Sequence, residues 1–257
     1  MTVKIVLHEK KNLQGHTLIE AFPGIGLVGT IAAGYLIEKR KMEPIGHIES
    51  DEFPPMTTIH NGVPLFPARI YHDPKDKFCI LLSEFVVPSK SIYDLSESIL
   101  DFAEKNKIKQ VISLAGMTPA EGPSEGSDKV NVFAVGATKA DRDQIKKAGL
   151  EPINEGITTG VSGVLISKAA AKHFPVINIL AESGALPKST GGFFDPRASA
   201  ALLEGLGRLA GLKVDLKDLL SEAEKIEKNI KQLLQRAQSE KKKYRDVEEL
   251  THTPMYT

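Results

Sequence analysis

Gly24-Ile25-Gly26-Leu27-Val28-Gly29 reads G-x-G-x-x-G between an apolar run and a helix-patterned stretch. In that context, backbone N–H groups and the start of a helix can face an anion. Gly24, Gly26 and Gly29 are therefore a candidate anion site, and one reading of the chain is a nucleotide- or anion-binding α/β enzyme. The full dinucleotide fingerprint also asks for an acidic residue closing the next strand about twenty positions on. Glu49 and Asp51 lie there. Against this reading stand Pro23, which stiffens the approach, and apolar Ile25 and Leu27 inside the turn. Glycines at such a turn serve close packing equally well.

Other catalytic signatures are missing. There is no G-x-x-x-x-G-K-[ST] for a P-loop. Seven histidines are scattered without H-E-x-x-H, and a single cysteine, Cys79, offers no zinc partner, so no metal site is expected. Ser162 sits in Gly160-Val161-Ser162-Gly163, which departs from the G-x-S-x-G elbow and reads as a helix N-cap or a close-packed turn. Glu84 and Glu182 each follow an apolar run, where α/β sheets hold ligands; they are expected to cap neighbouring loops. No catalytic residue is assigned, no cofactor is expected, and the chain is expected not to be an enzyme.

Apolar runs alternate with amphipathic stretches over the first two-thirds, the pattern of an α/β fold with helices covering a sheet. Strands are expected at Thr17–Phe22, Pro44–Glu49, Leu65–Tyr71, Phe78–Phe85, Gln110–Leu114, Asn131–Val135 and Val176–Ala181. Helices are expected at Gly26–Lys39, Ser91–Asn106, Ala140–Ala148 and Val161–His173. Another starts at Asp195-Pro196, an N-cap followed by proline at the first helical position, and ends near Gly211. A last helix starts at Asp215 and runs to about Arg245. Its apolar residues Leu216, Leu219, Ala223, Ile226, Ile230, Leu233 and Ala237 alternate steps of three and four. That stripe fits either an intersubunit coiled-coil face or a surface helix packed on its own domain. The expected divisions are a core at 1–212, the heptad-patterned helix at 213–250 and an extended tail at 251–257.

At 257 residues the chain can bury a sizeable core, and 41% hydrophobic with 26% charged residues is ordinary for a globular protein. Equal numbers of basic and acidic residues, 33 each, give no reason to expect nucleic acid or an anionic membrane as partner. The lone Cys79, the absence of a signal-peptide layout and the absence of a long apolar run lead to the expectation of a soluble, cytoplasmic protein.

An ordered series of motifs resembles the archaeal members of the proteasome assembly chaperone family, homologues of the second eukaryotic assembly chaperone. It comprises Phe22-Pro23-Gly24-Ile25-Gly26-Leu27-Val28-Gly29, Ser83-Glu84-Phe85 before Pro88, and Leu114-Ala115-Gly116-Met117. Thr159-Gly160-Val161-Ser162-Gly163-Val164-Leu165, Ala181-Glu182-Ser183, Asp195-Pro196-Arg197-Ala198 with Leu202-Leu203, and Ala223-Glu224-Lys225-Ile226-Glu227 complete it. The resemblance covers nearly the whole chain. It implies a Rossmann-like core related in architecture to nucleoside phosphorylases, a homo-oligomer (tetramer or pentamer), and the α-ring of the core (20S) proteasome as partner, with activation that needs no ATP in some members. It further implies a C-terminal hydrophobic-Tyr-any motif, which Met255, Tyr256 and Thr257 supply in order.

The residue types suit capture of a chain end. The Thr257 carboxylate would meet a lysine of the ring, as the resemblance implies. Tyr256 offers a ring for an apolar pocket with a wet rim, and flexible Met255 fills an irregular hollow. Pro254 blocks helix, so the tail is expected to be extended.

Overall fold

The computed structural model describes residues 3–8, 10–73, 75–119, 130–183, 195–212 and 214–221. Among these, nine strands form one sheet. They are β1 (Lys4–Leu7), β2 (Thr17–Ala21), β3 (Glu43–Glu49), β6 (Ala68–His72), β7 (Phe78–Ser83), β8 (Gln110–Met117), β9 (Val132–Gly136), β10 (Glu151–Pro152) and β11 (Val176–Glu182). Their order across the sheet is β1-β3-β6-β7-β2-β8-β11-β9-β10. The four central strands β7-β2-β8-β11 are mutually parallel, and antiparallel strands flank them on both sides. Central strands are near-continuous in Val, Ile and Leu because helices cover both faces.

Helices α1 (Val28–Arg40) and α5 (Pro196–Ala210) cover one face, with α3 (Lys139–Lys147) beside them. Helices α2 (Ile92–Lys105) and α4 (Gly160–Lys172) cover the other. Leu95, Ile99, Phe102 and Ala103 give α2 the buried stripe that its spacing predicts. Local signals fix the ends. Thr138 and Asp141 form a reciprocal capping box at α3. The Asp195 side chain accepts from Ala198 N, Pro196 follows, and Gly211 closes α5 at φ 72°.

Several expectations need correction. The strand expected at Leu65–Tyr71 is divided: its first residue ends β5 (Val63–Leu65), and β6 begins only after Pro67. Strand β5 pairs with β4 (Thr58–His60) in a separate hairpin around Asn61-Gly62, whose φ values of 52° and 78° suit a two-residue turn. Strands β1, β4 and β10 were not anticipated. Past Leu212, Val214, Leu216 and Leu219 pack against the α1/α5 cluster.

Candidate functional site

The glycine turn lies between β2 and α1. Ile25–Leu27 form a short 3-10 turn, Gly26 has φ 63°, and Leu27 enters α1 in the left-handed region without a side-chain cap. Two of its three motif glycines are set by close approach. A Cβ on Gly29 would lie 2.0 Å from the Leu114 carbonyl oxygen, and one on Gly26 would lie 2.3 Å from Ser183 Oγ. The contact is mutual, since a Cβ on Gly116 would meet the Ile25 carbonyl at 2.1 Å. Gly24 has open space around it. The Gly26 carbonyl accepts from Asp195 N at 2.9 Å, tying the turn to the start of α5. Glu49 ends β3, which β6 and β7 separate from β2. Neither it nor Asp51 stands on the strand next to β2, where the dinucleotide fingerprint places its ribose contact.

Beneath the other face runs a polar row that sequence reading missed. Register brings Glu20, Ser113 and Asn178 side by side on β2, β8 and β11. All three are buried. Ser113 Oγ donates to Glu20 Oε2, and Phe22 N donates to Glu20 Oε1 at 3.1 Å. Ser113 Oγ also lies 2.9 Å from Ser162 Oγ, and Asn178 Nδ2 donates to the Ser162 carbonyl at 2.9 Å. Burial pushes the Glu20 carboxyl up from 4.5 to about 7, against its hydrogen bonds to Ser113 and Phe22 N. Ser162 is thus neither an N-cap nor an exposed nucleophile. Thr159 occupies the N-cap position, and Ser162 pins the first turn of α4 to the sheet.

The two carboxylates singled out at strand ends hold loops. Glu182 accepts from Asn131 Nδ2 at 2.8 Å beside the start of β9. Glu84 pairs with buried Arg69 and lies 2.9 Å from His60 Nε2 in β4. Arg69 also donates to Thr58 Oγ1 at 2.9 Å and to Tyr71 Oη at 2.6 Å, so this cluster fastens the small hairpin. The hairpin region presents Met56, Ile59, Val63 and Phe66 as exposed apolar residues.

The C-terminal helix begins as its pattern predicts. Asp215 Oδ1 accepts from Lys217 N at 3.1 Å, and residues 217–221 are helical. Leu219 is 4% exposed within the α1/α5 core. Tyr35 Oη donates to the Asp215 carbonyl, and Lys39 pairs with Asp218. Leu216 and Leu219, two residues of the candidate oligomer face, therefore pack on their own domain. Ala223, Ile226, Ile230, Leu233 and Ala237, and the tail Met255, Tyr256 and Thr257, lie outside the described residues. Among the described residues, no helix is long and apolar enough to cross a membrane.

Known proteins resemble this chain in sequence and fold. The chain is 36% identical over 234 residues to the uncharacterised protein MJ0106 of Methanocaldococcus jannaschii, covering 90% of this chain and 91% of that one. Its fold matches Pyrococcus furiosus PbaA, an archaeal homologue of proteasome-assembly chaperone. The TM-score is 0.79 at 30% identity, covering 98% of this chain and 100% of that one. Pyrococcus furiosus PbaB, an archaeal proteasome activator, shares the fold with a TM-score of 0.74 at 23% identity, over 90% and 98% of the two chains. A model of the PAC2 family matches residues 18–234, from the strand before the glycine turn into the heptad-patterned segment, and the chain belongs to that family of proteasome assembly chaperone homologues.

Proposed function

We propose that this chain is a cytoplasmic, homo-oligomeric adaptor that binds the α-ring of the core proteasome through Met255, Tyr256 and Thr257. It assists assembly of the proteasome or activates it without ATP. One observation carries the reading: the family match at residues 18–234 is followed, at 255–257, by the hydrophobic-Tyr-any order. The likeness to PbaA over nearly the full length supports it. So do the close-packed glycine turn and the buried polar row, which give structural work to the residues that an enzyme would need free.

One short tail binds weakly, because ordering it costs free energy that few contacts offset. Several tails on one oligomer raise the effective concentration if their spacing matches the pockets of the ring. The exposed apolar residues of the β4–β5 region are available for contact with a partner or another copy. Replacing Tyr256 by Ala should remove most of the affinity for the core proteasome without altering the oligomer. Equal affinity of the Tyr256→Ala and parent proteins in a surface-binding assay would overturn the tail assignment. Stimulation of peptide cleavage by the core particle then separates an activator from a chaperone that binds without opening the ring.

A further inference from the structure

Two histidine pairs stand on the β1-β3-β6 side of the sheet. His8 Nε2 lies 3.1 Å from His47 Nδ1, and His16 Nε2 lies 3.2 Å from His72 Nε2. In both pairs the ring centroids are 5.3 Å apart. Each contact places a proton between two imidazole nitrogens. Exchanging that proton for a metal ion needs little movement. Two nitrogens about 2.0–2.1 Å from a tetrahedral zinc ion stand about 3.3 Å from each other.

The surroundings distinguish the pairs. His47 is held on two further sides. The Phe66 ring stacks on it at 3.8 Å between centroids and 6° between planes, and Glu49 Oε2 lies 3.6 Å from its Nε2. A proton on Nε2, facing the carboxylate, leaves Nδ1 as the lone-pair nitrogen directed at His8. A carboxylate accepting from this N–H stands behind metal-bound histidines, and Glu49 comes within 3.6 Å of that position. His8 is exposed, so an ion can arrive and keep water in its remaining positions. His72 has the opposite setting. The Lys11 ammonium stands near it and, after burial, lowers its pKa most, against the Asp73 and Glu43 carboxylates. Its Nδ1 is buried with no partner among the described residues, so nothing fixes that ring from behind.

We propose that His8 and His47 form a two-histidine site for a divalent cation of the zinc class, with Glu49 as the positioning residue of His47. The ion joins edge strand β1 to β3, where Val6 pairs with His47 two residues before His8. Among the described residues no group of three or more His, Cys, Asp or Glu is placed to hold a metal, so two protein ligands and water complete this shell. The 39-residue separation of the two histidines hides the site from motif reading.

The test is a zinc chloride titration of the full-length protein, read by calorimetry and by histidine imidazole NMR resonances. Saturable binding should move the His8 and His47 resonances and leave those of His16 and His72 in place. His8→Ala and His47→Gln should each weaken binding at least about tenfold, and Glu49→Gln by about tenfold, the usual effect of removing a carboxylate behind a metal-bound histidine. His72→Gln should bind as the parent does. Because His8 is exposed, His8→Ala keeps the test clear of folding defects. Absence of a shift at millimolar zinc, or unchanged affinity in His8→Ala, overturns the site. Unchanged affinity in Glu49→Gln overturns the positioning role.

Discussion

Glu20 is the residue at which the fold conflicts most with solvation. It lies in β2 between β7 and β8, 1% exposed, with its pKa pushed up to about 7. A carboxyl with a raised folded-state pKa holds its proton more tightly in the native state. Its contribution to stability is therefore full below about pH 4.5 and is lost as pH rises to about 7. The difference is on the order of 3 kcal/mol. Glu20→Gln mimics the protonated form. Its oxygen can accept from Phe22 N, while its amide donates to Ser113, whose hydroxyl then serves Ser162. The variant should match the parent at about pH 5 and exceed its stability by up to about 3 kcal/mol at about pH 8. Urea unfolding at the two pH values measures this, and parallel pH profiles for both proteins would refute it. The row left no trace in local pattern, because strand alternation shows that Glu20 faces inward and not which neighbours await it on β8 and β11.

At the scale of elements, α1 contains glycines that should respond in opposite directions. Gly→Ala inside a helix ordinarily stabilises by about 1 kcal/mol. A methyl group added at Gly34 would have nothing within 4 Å of it, so Gly34→Ala should follow that rule. Gly29→Ala should cost at least about 2 kcal/mol, because the new methyl meets a β8 carbonyl that cannot retreat without distorting the sheet. Thermal midpoints moving in the same direction for both would show that the turn is less tightly packed than its geometry indicates. The C-terminal helix offers a second contrast. Leu219→Ala should destabilise the protein by about 2–4 kcal/mol, whereas Leu220→Ala, on an exposed side chain, should change it by less than about 0.5 kcal/mol. A strong dependence of the Leu219→Ala effect on protein concentration would instead place that residue at an interface between copies.

These elements also show what could be read in advance. The central strands, α2 and the Asp195-Pro196 start were legible because each depends on local pattern or capping. The β4–β5 hairpin carries a local signal in Asn61-Gly62 that went unread, because the apolar run from Leu65 to Tyr71 joins two sheets across Phe66-Pro67. Edge strand β1 has a weak pattern and gains its place only by pairing with β3. The histidine pairs and the Glu20 row depend on register between distant strands, which no local motif encodes.

For the whole molecule, the PAC2 core is a packed α/β body whose glycine turn and polar row are occupied by packing. The proposed binding chemistry falls at 255–257, and an oligomer presenting several such tails gains avidity that no single tail provides. The most direct measurement is capture of purified core proteasome by the intact protein and by a variant lacking Met255–Thr257. Intact protein should retain the proteasome, and the truncated protein should lose it while keeping its circular dichroism and oligomer size. Equal retention by a correctly folded truncated protein would contradict the account.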